Sequence, residues 1–264
     1  MRNTLPKFLL FLLITLALTT CSTNDDNIEE VNNEERFLLK KEIERFNNGT
    51  IFRSTEFTYV DNKLTELLTF NTEDSLISIG NIEYLEDQPI QVNEYDGNNN
   101  LLYYSTLSYN SNNQLDNYIK YDETNLTAIK HVFAYNNNTV IESMYTGNYT
   151  TQEEYIGDKT YEMDANGNIT SITTSNYSIT YTYDDKNGRF KNVASLNTLN
   201  LIDVLNGPLS GGTENNCLSF QFNQSNITDH IDLTYTYNAN DYPTTKTEES
   251  AEFGTANSTE YLYY

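Results

Sequence analysis

The chain contains few of the residues on which catalysis and nucleic-acid binding commonly depend. Among its 264 residues there is no tryptophan, and there are only two histidines and two cysteines. Lysine and arginine together number 15 against 38 acidic residues, which gives a formal net charge of −23. Because a phosphate backbone requires a basic protein face, this balance argues against nucleic acid as a partner. We expect the acidic charge to serve solubility.

Motifs of common catalytic sites are also missing. There is no Gly-x-Ser-x-Gly elbow, no His-Glu-x-x-His motif and no glycine-rich phosphate loop. His131 and His230 are far apart in the sequence, and His230 with Asp232 fits a solvated strand face. Carboxylate pairs occur throughout so acidic a chain, so no pair stands out as a glycosidase dyad. We therefore predict that the protein is not an enzyme, with no catalytic residue and no cofactor.

Two acidic segments are similar to the first half of a calcium-binding EF-hand loop. They begin at Asp164 ("DANGN") and at Asp184 ("DDKNG"). The twelfth position is Ser175 in one and Ser195 in the other, whereas an EF-hand requires a bidentate Glu there. We interpret both segments as turns and predict no metal site, with a weak calcium site as the open alternative.

The N-terminal segment indicates export and a lipid anchor. Arg2 and Lys7 accompany the apolar core Phe8–Leu18, which is too short to span a bilayer and is typical of a signal peptide. "LTTC", ending at Cys21, resembles a bacterial lipobox, and the acidic residues that follow resemble export tags of Bacteroidota surface lipoproteins. This resemblance implies lipidation of Cys21, attachment to the outer membrane and exposure at the cell surface. An ordinary secretory signal is the alternative.

The predicted signal peptide also sets the domain organisation of the chain. Residues 1–20 are predicted to be the lipoprotein signal peptide, 21–35 a flexible acidic tether and 36–264 a single antiparallel β-repeat domain. If Cys21 carries lipid, Cys217 has no partner for a disulfide. Cys217 lies in an alternating strand pattern, so we expect it to pack as a small apolar residue.

A recurring unit dominates the chain after the tether. An aromatic or apolar residue, an Asn/Asp/Gly-rich stretch and an alternating run repeat, as in "YNSNNQL" from Tyr109 and "MDANGNITSI" from Met163. Because Asn, Asp and Gly accept the positive φ of hairpin turns, we interpret each such stretch as a turn. The fold class is therefore all-β, a long antiparallel meander of hairpins curled into an open or closed barrel-like sheet. Residues 34–46 fit a first strand better than a short helix.

The repeat is interrupted once, between Arg189 and Asn216. This segment contains one short helix insertion, predicted over residues 193–205 and ended by Gly207 and Pro208. A helix inserted into a sheet protein most often closes an open end of the core, and that is the role we predict for it, with gating of a ligand site as the alternative.

The repeat units resemble a known family. "MDANGNITSI" is similar to the YD repeat of Rhs-type proteins, with Met163 in place of tyrosine. "YTYDDKNGRFKNV" and "YTYNANDYP" are similar to repeats in Bacteroidota lipoproteins of a domain-of-unknown-function group with a porin-like fold. The resemblance implies a curled antiparallel sheet and supplies no site residues. Strands such as "STEFTYV" place Thr, Ser and Glu on the alternate face, which favours water over lipid.

These observations predict a non-enzymatic outer-membrane or surface lipoprotein that binds a polysaccharide or a protein partner. Exposed tyrosines bind such partners at low entropic cost, although the lack of tryptophan weakens the glycan version. An envelope scaffold and a carboxylate-dependent glycoside hydrolase are the alternatives. "DSL", residues 74–76, also resembles a Bacteroidota O-glycosylation site, with Ser75 as the acceptor.

Overall fold

A computed structural model describes residues 37–205, 214–225, 227–250 and 256–264. The predicted signal peptide, the tether and the lipidation site at Cys21 lie outside these residues. The described part of the chain belongs to one compact unit, Glu35–Tyr264. No helix within the described ranges is long and apolar enough to cross a membrane.

Sixteen antiparallel strands form one closed barrel in which each strand pairs with its neighbours in the sequence. The first strand closes the barrel by pairing with the last, with Glu42 opposite Tyr261. The predicted meander is confirmed and the sheet is closed. The strands are β1 (Leu39–Arg45), β2 (Ile51–Val60), β3 (Lys63–Phe70), β4 (Leu76–Leu85), β5 (Gln88–Asp96), β6 (Leu101–Tyr109), β7 (Leu115–Asp122), β8 (Thr127–Asn136), β9 (Thr139–Asn148), β10 (Gln152–Met163), β11 (Ile169–Thr173), β12 (Ser178–Tyr183), β13 (Cys217–Gln224), β14 (Ile227–Tyr237), β15 (Pro243–Ser250) and β16 (Ala256–Tyr263).

The Asn/Asp-rich stretches are hairpin turns stabilised by their own first side chain. Asn110 Oδ1 accepts hydrogen bonds from the backbone N–H of Asn112 (2.9 Å) and of Gln114 (3.1 Å). Asn113 has a left-handed backbone with φ 60°, a conformation that Asn and Asp tolerate better than most residues. Equivalent side-chain contacts are made at the turns that begin with Asn71, Asp96, Asp164 and Asn238.

The repeated tyrosines close the strands at one end of the barrel. The hydroxyl of Tyr84 donates to the carbonyl of Leu64, 20 residues earlier, at 3.0 Å. Tyrosines 109, 135 and 263 make the same bond to a carbonyl 20 residues before each of them. All four pack against the hydrophobic core. The repeat therefore encodes a ring of tyrosines that links neighbouring hairpins.

The segment between β12 and β13 enters the barrel at this end and plugs it. Ala194 N–H donates to the carbonyl of Asn62 at 2.9 Å, and Ser195 Oγ donates to the carbonyl of Asp87 at 2.5 Å. The helix α1 (Leu196–Leu201) follows, with Leu199 fully buried in the core. We call residues 184–205 the plug and this end of the barrel the plugged end. The predicted closing role of the insertion is therefore confirmed.

The helix is shorter than the predicted range 193–205. The apolar residues that suggested a longer helix are buried because the plug lies inside the barrel, whether or not they are helical. Asp203 adopts a left-handed conformation (φ 62°) just after Ile202, and this ends the helix. The predicted terminators Gly207 and Pro208 lie outside the described residues. Asn187 and Gly188, which we interpreted as a hairpin turn, belong to the plug instead.

The outer wall is polar along the last strands of the barrel. Thr182 Oγ1 lies 2.7 Å from Ser219 Oγ, and Thr236 Oγ1 lies 2.6 Å from Thr245 Oγ1. These side chains alternate with inward-facing aromatic residues, as strand geometry requires. The outward-facing residues of β12–β15 include Thr180, Thr182, Ser219, Gln221, Thr234, Thr236, Thr245 and Thr247.

Candidate functional site

A cavity of about 270 Å³ lies inside the barrel, towards the end opposite the plugged end. Its position follows from its lining residues, since Arg53 and Ser78 are near the starts of β2 and β4, and Glu94 and Lys120 are near the ends of β5 and β7. The end of the plug, Ile202–Val204, also lines the cavity. The other lining residues are Thr55, Leu67, Thr69, Gly80 and Val92.

The cations that line the cavity are held in ion pairs. Arg53 binds Glu44 through two nitrogens, at 2.6 and 3.0 Å, and this carboxylate raises the pKa of Arg53. Lys120 Nζ lies 2.6 Å from Glu94 and 4.7 Å from the centre of the Tyr103 ring. Because Arg53 has an acidic partner on the adjacent strand and Lys120 has one two strands away, both cations are held in fixed positions.

Asp203 is the exception among the charged residues of the cavity. Its carboxylate forms neither a hydrogen bond nor an ion pair with any residue that the structure describes. Crowding by protein atoms raises the pKa of Asp203, whereas the charges of Lys159 and Lys120 oppose that rise. The side chain is nevertheless exposed to water, which screens its charge. The plug therefore presents an unmatched negative charge to the cavity.

A buried cluster centred on Glu142 lies on the wall beside the cavity. Glu142 is 1% exposed, and its carboxylate lies 2.5 Å from His131 Nδ1, 2.6 Å from the Tyr161 hydroxyl and 3.2 Å from Lys159 Nζ. The Tyr118 ring stacks on His131, with ring centroids 4.1 Å apart. Burial alone would raise the pKa of Glu142, but these three contacts outweigh burial and lower it. The carboxylate is therefore ionised at neutral pH and unsuited to act as a general acid.

A second buried ion pair joins the plug to the first strand. Arg189 Nη1 lies 3.4 Å from Glu42 Oε1 and 3.3 Å from the Tyr261 hydroxyl. Burial opposes the charge on Arg189, but Glu42 and Tyr261 raise its pKa. This pair joins the plug to the seam between β1 and β16, where the barrel closes.

Several residues singled out in the sequence lie outside the cavity. His230 Nε2 and Asp232 Oδ1 are 3.1 Å apart on the exposed outer wall, as the solvated-face interpretation predicted. Asp164 and Asp184 accept hydrogen bonds from backbone N–H groups, as Asp residues in turns and loops commonly do. Among the described residues, no group of three or more His, Cys, Asp or Glu side chains is placed to bind a metal ion.

Two further predicted positions lie on other parts of the barrel. Ser75 is exposed in the turn between β3 and β4, where a modifying enzyme has access, and its glycosylation stays a prediction. Cys217 is 1% exposed, and burial raises the pKa of its thiol to about 12. It therefore packs as a small apolar residue.

Sequence reasoning missed the residues that form the cavity and the Glu142 cluster. Neither Asp203 nor Glu142 belongs to a motif, and their neighbours come from separate strands and the plug. The alternation of β2 is the one usable signal, since Arg53 and Thr55 share the inward face with Phe57. A cationic residue on a face that is otherwise buried predicts an internal ion pair.

Comparison with known proteins is informative for the fold. No protein-family model matches the chain. No curated protein matches it either. Among solved structures, a porin-like protein from Bacteroides vulgatus superposes with a TM-score of 0.52 at 11% identity, covering 86% of this chain and 99% of that one. The two proteins share a fold.

A second solved structure has a lower similarity score. A porin-like protein from Bacteroides uniformis gives a TM-score of 0.37 at 10% identity, over 86% of this chain and 96% of that one, and we base no conclusion on it. At such identities the likeness concerns the fold alone. It agrees with the porin-like fold that the repeats implied, while membership of the YD-repeat family stays a prediction.

Proposed function

We propose that this protein is a lipid-anchored barrel of the outer membrane whose lumen binds a small polar ligand. The observation that carries the proposal is the cavity above the plug, which is lined by hydroxyl, carboxylate and cationic side chains. Binding sites are typically concave, largely pre-formed and equipped with a few polar groups that orient the ligand. With about 270 Å³, the cavity suits a ligand smaller than a typical drug molecule.

The polar groups of the cavity are held in place before any ligand arrives. Arg53 and Lys120 are fixed by ion pairs with Glu44 and Glu94. Thr55, Thr69 and Ser78 project from three neighbouring strands and supply hydroxyl donors and acceptors. Pre-organisation of this kind reduces the entropic cost of binding. It supports a dedicated ligand site in the lumen.

Attachment through lipid on Cys21 fits the character of the outer wall. A barrel that spans a membrane carries an outward apolar band about 25 Å tall. The outward faces of β12–β15 instead carry serine, threonine and glutamine, whereas apolar residues such as Ile77 and Ile141 are exposed on other strands. The polar side of the wall supports a barrel held at the membrane by its N-terminus rather than one encircled by lipid. This attachment, the surface location and the relationship to YD-repeat lipoproteins are parts of the same proposal.

Binding without catalysis is the favoured role of the cavity. A glycoside hydrolase of the usual type requires two carboxyl groups, an acid and a base or nucleophile. Glu94 is engaged by Lys120, and Glu142 is buried, ionised and bonded to three partners. Asp203 is thus the one carboxyl group lining the cavity without a cationic partner among the described residues.

A thermal-shift screen tests ligand binding. The full-length chain, purified in detergent, is heated with a panel of monosaccharides, oligosaccharides and peptidoglycan fragments. A ligand at 100 times its Kd should add about 2.7 kcal/mol of stability, which corresponds to roughly 5–10 °C for a domain of this size.

Two matched variants place the ligand. Ser78→Phe fills the cavity, whereas Ile77→Phe adds an aromatic ring to the exposed outer wall at the adjacent position. We expect Ser78→Phe to abolish the shift and Ile77→Phe to retain it. Equal shifts in both variants would exclude the lumen as the site.

Metabolic labelling tests the anchor. Cells expressing the wild-type chain or Cys21→Ser are grown with radiolabelled palmitate, and intact cells are treated with protease. We expect label on the wild-type protein alone and cleavage in intact cells. Label on Cys21→Ser would refute lipidation at this residue.

A further inference from the structure

Building on the proposed binding function of the lumen, we infer that its ligand is an amino sugar whose ammonium group pairs with Asp203. The inference rests on the charge pairing in the lumen, on the position of Asp203 and on the chemistry of the surrounding walls.

The ion pairs around the cavity leave one of its carboxylates over. The two lining cations, Arg53 and Lys120, pair with Glu44 and Glu94, both at 2.6 Å, and Lys159 on the neighbouring wall pairs with Glu142 at 3.2 Å. Asp203 comes from the plug rather than from a strand, and it has no such partner among the described residues. Asp203 is therefore the lining carboxylate that these ion pairs leave unmatched. A ligand that brings one positive charge would balance it.

The plug holds Asp203 at the cavity in a defined conformation. Asp203 N–H donates to the carbonyl of Asn200 at 3.2 Å, and Val204 N–H donates to the carbonyl of Leu199 at 3.1 Å. These bonds fix the left-handed backbone with φ 62°, and Leu199 is fully buried beneath them. The carboxylate is thus attached to the rigid part of the plug and lies beside Ile202 and Val204 in the cavity lining.

The walls indicate what the rest of the ligand carries. Thr55, Thr69 and Ser78 offer hydroxyl groups that donate to and accept from ligand hydroxyls. A ligand carboxylate would find the cavity cations, Arg53 and Lys120, already paired with acids. An amino acid is therefore disfavoured, whereas a polyhydroxyl ring with one amine satisfies both Asp203 and the hydroxyl walls.

The overall charge of the chain supports the same ligand class. The formal net charge of −23 attracts small cations towards the protein and repels anions. Within the lumen, crowding raises the pKa of Asp203 although the charges of Lys159 and Lys120 oppose the rise, and an ammonium group in direct contact would stabilise the carboxylate further.

Isothermal titration calorimetry with three related sugars tests this inference. The full chain is titrated with glucosamine, glucose and N-acetylglucosamine, which share a ring but differ in the charge of one substituent. We expect glucosamine to bind about 10-fold or more tightly than the other two, since ionic hydrogen bonds are stronger than neutral ones. Asp203→Asn should abolish this preference, because asparagine retains the left-handed backbone and loses the charge.

A matched control separates the local charge from the general field. Asp74 has the same backbone conformation as Asp203, with φ 58°, and is exposed in the turn between β3 and β4. Asp74→Asn removes one negative charge from the protein, and we expect it to leave the preference for glucosamine intact. An equal loss of preference in both variants would assign the effect to net charge and overturn the role of Asp203.

The outcomes distinguish this inference from the proposed function. If the wild type and Asp203→Asn bind glucose and glucosamine with equal affinity, the lumen is a binding site but the amine preference is wrong. If none of the three sugars binds and Ser78→Phe changes no shift in the thermal screen, both proposals fail. Preferential binding of glucosamine that Asp203→Asn abolishes and Asp74→Asn preserves establishes the inference.

Discussion

Replacement of Glu142 by glutamine tests how the polar lumen is stabilised. The substitution keeps the shape of the side chain and removes a charge that contacts His131, Tyr161 and Lys159 at 2.5, 2.6 and 3.2 Å. Removing one partner of a buried ion pair costs about 3–5 kcal/mol. Lys159 retains 28% exposure, so solvent screens its loss and we expect the lower end, about 3 kcal/mol. That value is a large fraction of the roughly 5–15 kcal/mol that stabilises a folded protein.

Urea unfolding followed by near-ultraviolet circular dichroism of the tyrosines measures this loss. The exposed Glu154→Gln variant on β10 is the control, and we expect a change within about 0.5 kcal/mol. Adding Lys159→Met to Glu142→Gln should restore at least about 1 kcal/mol, because the unpaired cation is then removed. A loss below about 1 kcal/mol for Glu142→Gln, or no recovery in the double variant, would refute the reasoning.

The pH dependence supplies an independent check on the same residue. The folded protein lowers the pKa of Glu142 below that of an unfolded glutamate, about 4.3. Its ionic contribution is therefore complete above that pH and is lost as the pH falls through the folded pKa. We expect the stability difference between the wild type and Glu142→Gln to be constant near neutrality and to shrink at acidic pH. A difference that grows on acidification would contradict the assigned sign.

Three further predictions concern other parts of the barrel. Tyr84→Phe removes a hydroxyl that donates to the carbonyl of Leu64 and should cost about 0.5–1.5 kcal/mol of stability. Tyr59→Phe should be neutral or stabilising, because the buried hydroxyl of Tyr59 has no partner among the described residues. Equal losses of stability for the two variants in urea unfolding would contradict this prediction. Leu199→Ala should cost about 2–5 kcal/mol by leaving a cavity in the plug, and Leu126→Ala, which is 64% exposed, should cost little in the same assay. Asp203→Asn should raise the Tm at neutral pH, because the raised pKa of Asp203 shows that the folded protein disfavours its charge. This gain in Tm should vanish below about pH 3.9, where Asp203 is protonated in the folded and the unfolded protein alike.

The local architecture was predictable because it is encoded in neighbouring residues. Five turns depend on an Asn or Asp that bonds to the backbone two and four residues later, as at Asn110, and such signals are visible in a linear pattern. Strand direction followed, since consecutive strands joined by short turns pair antiparallel. A strand was predicted within residues 34–46, and β1 (Leu39–Arg45) confirms it for the central part of that range; residues 34–36 lie outside the described residues.

Closure of the barrel and the helix boundaries were harder to predict from the sequence. Closure depends on the pairing of Glu42 with Tyr261, two residues separated by almost the whole chain, and no local pattern specifies it. The predicted helix was too long because the apolar spacing from Val193 to Leu205 reports burial inside the barrel as well as helicity. Inside a barrel a segment is buried on all sides, so its apolar residues do not distinguish a helix from an irregular buried segment.

The cavity could not be predicted from the sequence for a related reason. Its ion pairs join residues of different strands, so each pair exists only in the correct register. Arg53 and Glu44, for example, meet across the β1–β2 hairpin, and a shift of one residue would turn one partner to the outer wall. Asp203 carries no sequence signal, because its significance lies in the lack of a partner in three dimensions.

The tyrosines show that composition alone does not locate a binding site. Their abundance favoured ligand stacking on exposed rings, yet Tyr84 and its equivalents are committed to bonds between hairpins. On the outer wall, Tyr104 and Tyr121 stack on each other with centroids 4.4 Å apart, and Tyr149 meets Tyr121 edge-on at 5.2 Å. One face of each stacked ring is thereby occupied by the other. Asp203, by contrast, lines the lumen without an ion-pair partner among the described residues, and this contrast favours the cavity beside Asp203 over the tyrosines as the proposed binding site.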